Sequence, residues 1–322
     1  MPERGKKSPG APIFNGGAAS ANLHPVVNAL CDASDALAKQ LSRRRNDQPL
    51  PSRDVILEIV EALRSVLFPG YYGVSEVSGD SLRYHIGSIL DKIQRVMQEQ
   101  VKRGLCFVCA LEKGERCHEC EGRAAAISQS FFDRLGQIRH LLATDVQAAY
   151  EGDPAATSPD EAIFCYPGVQ AITNYRLAHE LYKLQVPLIP RIITEMAHAT
   201  TGIDIHPGAR IEENFFIDHG TGVVIGETTV IGKRVRLYQG VTLGAKSFPL
   251  DELGKPIKGI DRHPIVEDDV IIYSGATILG RVTIGRGSVI GGNVWLTESV
   301  PPGSRITQVS PHDEQYRDGS GI

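Results

Sequence analysis

The stretch that decides the fold reads VEDDVIIYSGATILGRVTIGRGSVIGGNVWL, from Val266 to Leu296. Large aliphatic residues recur every six positions, at Val266, Ile272, Ile278, Ile284, Ile290 and Leu296. A helix repeats its apolar face about every 3.6 residues and a strand every 2, so neither has a period of six. A parallel β-helix built of hexapeptides does. One hexapeptide covers one flat face of a three-sided prism, and its large residue points inward onto equivalents in neighbouring coils. Four places after each large residue stands a small or β-branched one: Val270, Ala276, Val282, Ser288, Val294 and Val300. Gly, Asn and Asp fall near the corners, where φ > 0 is often needed.

Working back from this stretch, the phase continues. Ile225, Ile231, Leu237 and Leu243 are six apart, and so are Ile205, Ile211 and Ile217. Ala209, Thr221, Val235 and Val241 are their small partners. Thirteen aliphatic positions keep phase through two interruptions. One is a two-residue slip between Ile217 and Ile225. The other is the polar segment AKSFPLDELGKPIKGIDRHPI at 245–265, which reads as a loop extruded from one corner. Long loops on rigid scaffolds often carry function. At three hexapeptides per coil the prism has about four to five coils.

Before residue 200 the period is helical. Apolar stripes run through Val26, Val27, Leu30, Leu37 and Leu41, and through Ile56, Ile59, Val60, Leu63 and Leu67 after a capping Ser52. The cleanest stripe joins Leu82, Ile86, Ile89, Leu90, Ile93, Val96 and Met97; another joins Ile127, Leu135, Ile138, Leu141, Leu142 and Val146. Two shorter helices fit 168–185 and 188–200. These stripes read as a packed helical core. The domains expected are a disordered leader at 1–20, a helical assembly domain at 21–200 with a Cys-rich insert at 106–120, a β-helix catalytic domain at 201–302 and a tail at 303–322. The fold class is α+β, an all-α half followed by a parallel β-helix with one extruded loop.

Composition narrows the function. Among 322 residues, 34 Lys+Arg face 38 Asp+Glu, for a formal net charge of -4. No basic excess is available to meet a phosphate backbone, so a general nucleic-acid binder is disfavoured. No apolar run reaches the roughly 18 residues of a membrane span. The N-terminus shows no secretory signal, so a cytoplasmic location is expected. Only 6% of residues are aromatic and one is Trp, as a narrow prism interior filled by Ile, Val and Leu requires.

Two histidines carry chemistry in this reading. His219 lies in IDHGTG, beside Asp218 and a glycine. Asp204, in GIDIHP, stands fifteen residues earlier, close to one coil of about eighteen, within reach of the imidazole. A carboxylate on one ring nitrogen fixes the tautomer and raises basicity at the other, as a general base needs. His263 ends the extruded loop next to Arg262. His206, His179 and His198 read as structural or surface residues.

The segment from Asp153 to about Pro302 resembles the serine O-acetyltransferases, left-handed parallel β-helix enzymes that open cysteine biosynthesis. The matching pieces are DPAA at 153–156, YRLAHELY at 175–182, TGIDIHPGARI at 201–211, IDHGTGVVIGET at 217–228, QGVTLGA at 239–245, DRHP at 261–264 and ILGRVTIGRGSVIGG at 278–292. The resemblance implies acetyl transfer from acetyl-CoA to the L-serine hydroxyl. It assigns His219 as base, Asp204 as its orienting carboxylate, Asp153 and Asp218 to the serine ammonium, and Arg262 and His263 to the carboxylate. Glu227 would support them. A backbone N–H near Gly244 and Ala245 would hold the oxyanion, and the CoA arm would lie along Ala245, Ser274, Gly275 and Gly292. Such sites lie between subunits, so a homotrimer is implied, with the helical domain pairing trimers into hexamers. The loop 245–263 is longer than in the shortest members, which implies that Arg262 and His263 are ordered by substrate. A C-terminal Ile, here Ile322 after Gly321, inserts in this family into O-acetylserine sulfhydrylase. The family is often inhibited by L-cysteine.

Four of the six cysteines, Cys106, Cys109, Cys117 and Cys120, form two C-x2-C pairs able to offer four thiolates to a structural Zn²⁺. An iron–sulfur site and plain thiols are the alternatives. Cys31 and Cys165 read as buried thiols. Three other functions fit less well: a hexapeptide acetyltransferase acting on a sugar or other small hydroxyl compound, a γ-class carbonic anhydrase-like zinc enzyme needing three histidines, and a non-catalytic scaffold for the sulfhydrylase.

Overall fold

The computed structural model describes residues 22–40, 49–113, 119–247 and 249–308. The chain divides into two compact units, Met1–Asp47 and Gln48–Ile322. In the first, α1 (His24–Gln40) is the described element, and Val26, Val27 and Leu30 on it are exposed, not core as the stripe suggests.

The second unit begins with α2 (Arg53–Leu67), where the Ser52 hydroxyl accepts the Val55 N–H as the cap expected. Ile56, Ile59, Val60, Leu63 and Leu67 are buried. The next helix, α3 (Gly79–Lys113), runs on through Cys106 and Cys109, where the sequence suggests a link between helices. The reason is that its apolar rows continue: Ile93, Met97, Val101, Leu105 and Cys109 fall four apart and are all buried. After it come α4 (Cys120–Asp133), α5 (Leu135–Gly152), α6 (Pro159–Cys165), α7 (Pro167–Lys183) and α8 (Ile189–Thr201). Gly202, at φ 71, closes α8 in the left-handed conformation and turns the chain into the first coil.

The coils form three parallel faces. Face one stacks β1 (Asp204–Ile205), β4 (Val224–Ile225), β7 (Thr242–Gly244), β10 (Thr277–Leu279) and β13 (Trp295–Leu296). Face two stacks β2 (Arg210–Ile211), β5 (Val230–Ile231), β8 (Ile265–Val266) and β11 (Thr283–Ile284). Face three stacks β3 (Phe216–Ile217), β6 (Arg236–Leu237), β9 (Ile271–Ile272), β12 (Val289–Ile290) and β14 (Arg305–Ile306). Register follows the hexapeptide phase: Ile225 pairs with Leu243, and Ile278 with Leu296. Of the thirteen phase positions, all but the half-buried Leu296 are buried.

Thr221 departs from the pattern and is exposed. The two-residue slip falls in 218–222, so Val223 takes the inward place instead and is fully buried. This corner is therefore a bulge on an otherwise regular prism.

A buried ion pair joins helices to prism. Arg176 on α7 meets Asp145 on α5 at 2.6 and 2.9 Å, with both side chains at most 4% exposed. The same guanidinium donates to the carbonyls of Ile211 and Glu212, and Asp145 accepts the Phe215 N–H. Removing one partner strands the other charge in the interior. Arg176→Met is expected to lower the unfolding free energy by about 3–5 kcal/mol, read as an earlier midpoint in urea; an unmoved midpoint would show that the pair contributes nothing to the joint.

Candidate active site

The predicted site residues gather at two different vertices of the prism. The first lies between face three and face one. It carries His219 and Asp218 in the bulged corner, with Ser274, Gly275 and Gly292 in coils above. His219 has φ 56, a left-handed conformation that a non-glycine residue adopts at some strain. Its side chain is 70% exposed, and Asp218 Oδ1 stands 3.8 Å from Nδ1. Asp204 is half-buried at the start of β1, and no hydrogen bond or ion pair joins it to His219 among the described residues.

The helical region delivers Asp153 to this vertex. The end of α5 is seated on face three, where Arg236 donates to the Gly152 carbonyl at 3.1 Å. The start of α7 sits close by: a Cβ on Gly168 would lie 2.4 Å from the Ile217 carbonyl oxygen. Between them the Tyr166 hydroxyl donates to Asp153 Oδ2 at 2.5 Å, and the Ala155 N–H to Oδ1 at 2.8 Å. The Tyr166 hydrogen bond, with lesser help from the Ala155 amide and His219, holds the Asp153 carboxyl below its usual range. Burial, then Asp153, pushes the Tyr166 phenol up, so it stays a donor. Tyr166 was not singled out by sequence; a tyrosine between two helices has no spacing signature.

The second vertex lies between face one and face two, where the extruded loop leaves after Gly244 and Ala245 and returns at β8. Arg262 Nη2 donates to Glu227 at 2.7 Å. Glu227 also accepts from the Tyr182 hydroxyl at 3.3 Å. Burial works to raise the Glu227 carboxyl, but Arg262 and His206 outweigh it and hold it low. His263 is buried, its ring against Gly226, where a Cβ would come within 2.0 Å of Cδ2. Burial, then the neighbouring Arg262 charge, depresses its pKa to about 4. The loop end is anchored within the chain: Arg281 donates to the carbonyls of Thr228 at 2.7 Å and His263 at 3.0 Å, and to Asp261 at 3.0 Å.

Three of the four clustered cysteines are among the described residues. Cys106 and Cys109 sit on α3, Cys120 opens α4, and Sγ of Cys109 and Cys120 are 3.6 Å apart. Among the described residues no group of three or more His, Cys, Asp or Glu side chains is placed to hold a metal ion, so the zinc expectation gains no support. Cys117 and Ile322 lie outside the described residues. Cys31 and Cys165 are exposed, not buried; Cys165 ends the short α6 at the surface. No helix among the described residues is long and apolar enough to cross a membrane.

Comparison with known proteins agrees with this architecture. The family model described as bacterial transferase hexapeptide (six repeats) matches residues 263–298. A plasmid-encoded serine acetyltransferase of Synechococcus elongatus is 53% identical over 305 residues, covering 93% of this chain and 95% of the relative. A serine acetyltransferase of Mycobacterium tuberculosis is 47% identical over 165 residues, covering 51% of this chain and 68% of the relative. The structure of Entamoeba histolytica serine acetyltransferase 1 in complex with L-cysteine superposes with TM-score 0.68 at 38% identity, covering 77% of this chain and 86% of that one. Soybean serine acetyltransferase complexed with serine gives 0.50 at 29%, covering 79% and 96%. The α-helical half, the left-handed hexapeptide prism and a relative half identical along nearly all of both chains lead to one conclusion: this chain belongs to the serine acetyltransferases.

Proposed function

We propose that the chain transfers the acetyl group of acetyl-CoA to the hydroxyl of L-serine, giving O-acetyl-L-serine and CoA, in a cleft made by two subunits. The observation that supports this most is the split of the site. A base-and-ammonium half (His219, Asp153, Asp218) stands at one vertex and a carboxylate-binding half (Arg262, His263) at another. In a three-fold ring the first vertex of one prism faces the second vertex of its neighbour, and each cleft is completed across the interface.

His219 takes the serine hydroxyl proton as the oxygen attacks the thioester carbonyl. Asp153 and Asp218 hold the ammonium. Arg262, already oriented by Glu227, meets the carboxylate by a charge-assisted fork. The negative oxygen that forms on the thioester carbon needs a donor, and a backbone N–H near Gly244 or Ala245 is in the reading. The proton on His219 then passes to the leaving CoA thiolate. Asp204, one coil below, acts on His219 when the ring turns toward it. The acetyl-CoA arm runs in the same groove: Ser274, Gly275 and Gly292 on one wall, Gly244 and Ala245 on the other. These walls have little side-chain bulk, as close approach of a long thin cofactor requires. Helix-mediated pairing of two trimers belongs to the same proposal.

Thiol release from acetyl-CoA over L-serine, homoserine and galactose tests the acceptor. L-serine is expected to be strongly preferred; a preference for galactose would contradict the proposal in favour of a sugar acetyltransferase.

A further inference from the structure

Thr228, which follows Glu227 at the second vertex, turns its hydroxyl and its backbone N–H onto Arg262 and His263. Its Oγ1 accepts the backbone N–H of Arg262 at 2.9 Å and that of His263 at 3.2 Å. A hydroxyl has two acceptor sites and one proton. With both acceptor sites taken, the proton is left for the third neighbour, His263 Nδ1, at 2.9 Å. The backbone N–H of Thr228 points at the same nitrogen from 3.1 Å. Two donors therefore converge on Nδ1, and a nitrogen in that position accepts and carries no hydrogen.

We propose that Thr228 is a positioning residue that fixes His263 as the neutral tautomer with its proton on Nε2, so that the ring offers one oriented N–H to the substrate carboxylate. Nε2 has no partner within the described residues, yet it is not among the buried polar atoms left without one, so it keeps access to the cleft. Gly226 lets the ring lie flat: a Cβ there would come within 2.2 Å of Nε2. Arg281 braces the arrangement from outside by binding the carbonyls of both Thr228 and His263. The charged and titratable groups that face the ring are Arg262, Glu227, His206 and Arg281; burial, Arg262, His206 and Arg281 outweigh the opposing Glu227 carboxylate and keep the ring uncharged near neutral pH. Carboxylate binding is thereby divided: Arg262 supplies the charge, and His263 a neutral donor of fixed direction.

What the N–H binds rests on the serine acetyltransferase reading; which nitrogen carries the proton does not. The two are tested separately. Neutron diffraction from deuterium-exchanged crystals of the full chain near pH 7 is expected to show deuterium on His263 Nε2 and none on Nδ1. Deuterium on Nδ1 would overturn the tautomer whatever the enzyme acts on. In steady-state assays Thr228→Val is expected to raise KM for L-serine about 10–100-fold, the effect of one lost hydrogen bond to a charged group, with KM for acetyl-CoA unchanged and Thr228→Ser close to wild type. Unchanged KM for L-serine in a folded Thr228→Val enzyme would overturn the positioning role. If Thr228→Val does not fold, deuterium on Nδ1 in the neutron map, or a Thr228→Ser enzyme with KM for L-serine raised as far as expected for valine, would each still overturn it.

Discussion

Replacing His219 with Asn is expected to lower kcat for acetyl transfer about 10²–10⁴-fold, with KM for acetyl-CoA little changed. The serine hydroxyl is a very weak acid, so attack on the thioester needs a base at the oxygen. His219 is the exposed imidazole at the bulged corner, with Asp218 beside it and Asp153 close enough for the two charges to interact. The choice of Asn matters. His219 sits at φ 56, where Ala would be strained, whereas Asn tolerates the left-handed region and has no basic nitrogen. His219→Asn therefore separates lost chemistry from a collapsed corner. Thiol release at saturating substrates, with melting followed in parallel, makes the check. Wild-type kcat in a folded His219→Asn enzyme would remove His219 from the mechanism.

The second large effect is at Arg262. Arg262→Ala is expected to lower kcat/KM for L-serine roughly 10–100-fold, as loss of a charge-assisted hydrogen bond to the substrate implies. Most of the loss should appear in KM for L-serine, because the base at the other vertex is untouched. Glu227, held low largely by Arg262, loses its cation in the same variant. A negative charge then faces the incoming carboxylate, so Arg262→Ala should be worse than Arg262→Lys, which keeps the charge and loses the fork. Equal kinetics for the two would show that Arg262 does not meet the carboxylate.

Much of this was legible in the sequence, for physical reasons. A prism coil has no freedom to shift its stacked residues, so the spacing of Ile205, Ile211 and Ile217 maps directly onto buried positions. The slip after Ile217 was legible as a break in phase, though not that Val223 would replace Thr221 in the inward place. The helical half was less legible. Its stripes do not show where a helix stops, and α3 ran on through Cys106 and Cys109 because its apolar rows continue. Tyr166 and Thr228 were missed as functional residues. Tyr166 acts through one contact to an acidic side chain and the Thr228 hydroxyl through an imidazole and two backbone N–H groups, and no periodicity reports either. Thr228 did stand in the IGET segment, directly after Glu227. The division of the site between two vertices could not come from motifs alone, since DHGTG and DRHP give no hint of which prism corner each occupies.

The central claim is that each cleft takes His219 from one subunit and Arg262 with His263 from the next. Co-expression of His219→Asn and Arg262→Ala chains, carrying different tags and purified as mixed trimers, tests it most directly. Every chain in the mixture lacks one half of the site. If clefts form between subunits, each mixed trimer has one cleft of its three that pairs an intact His219 with an intact Arg262, so about a third of the wild-type sites are restored. The account predicts that level of thiol release, far above either parent. Activity no higher than the average of the two parents would contradict it and place the whole site within one chain.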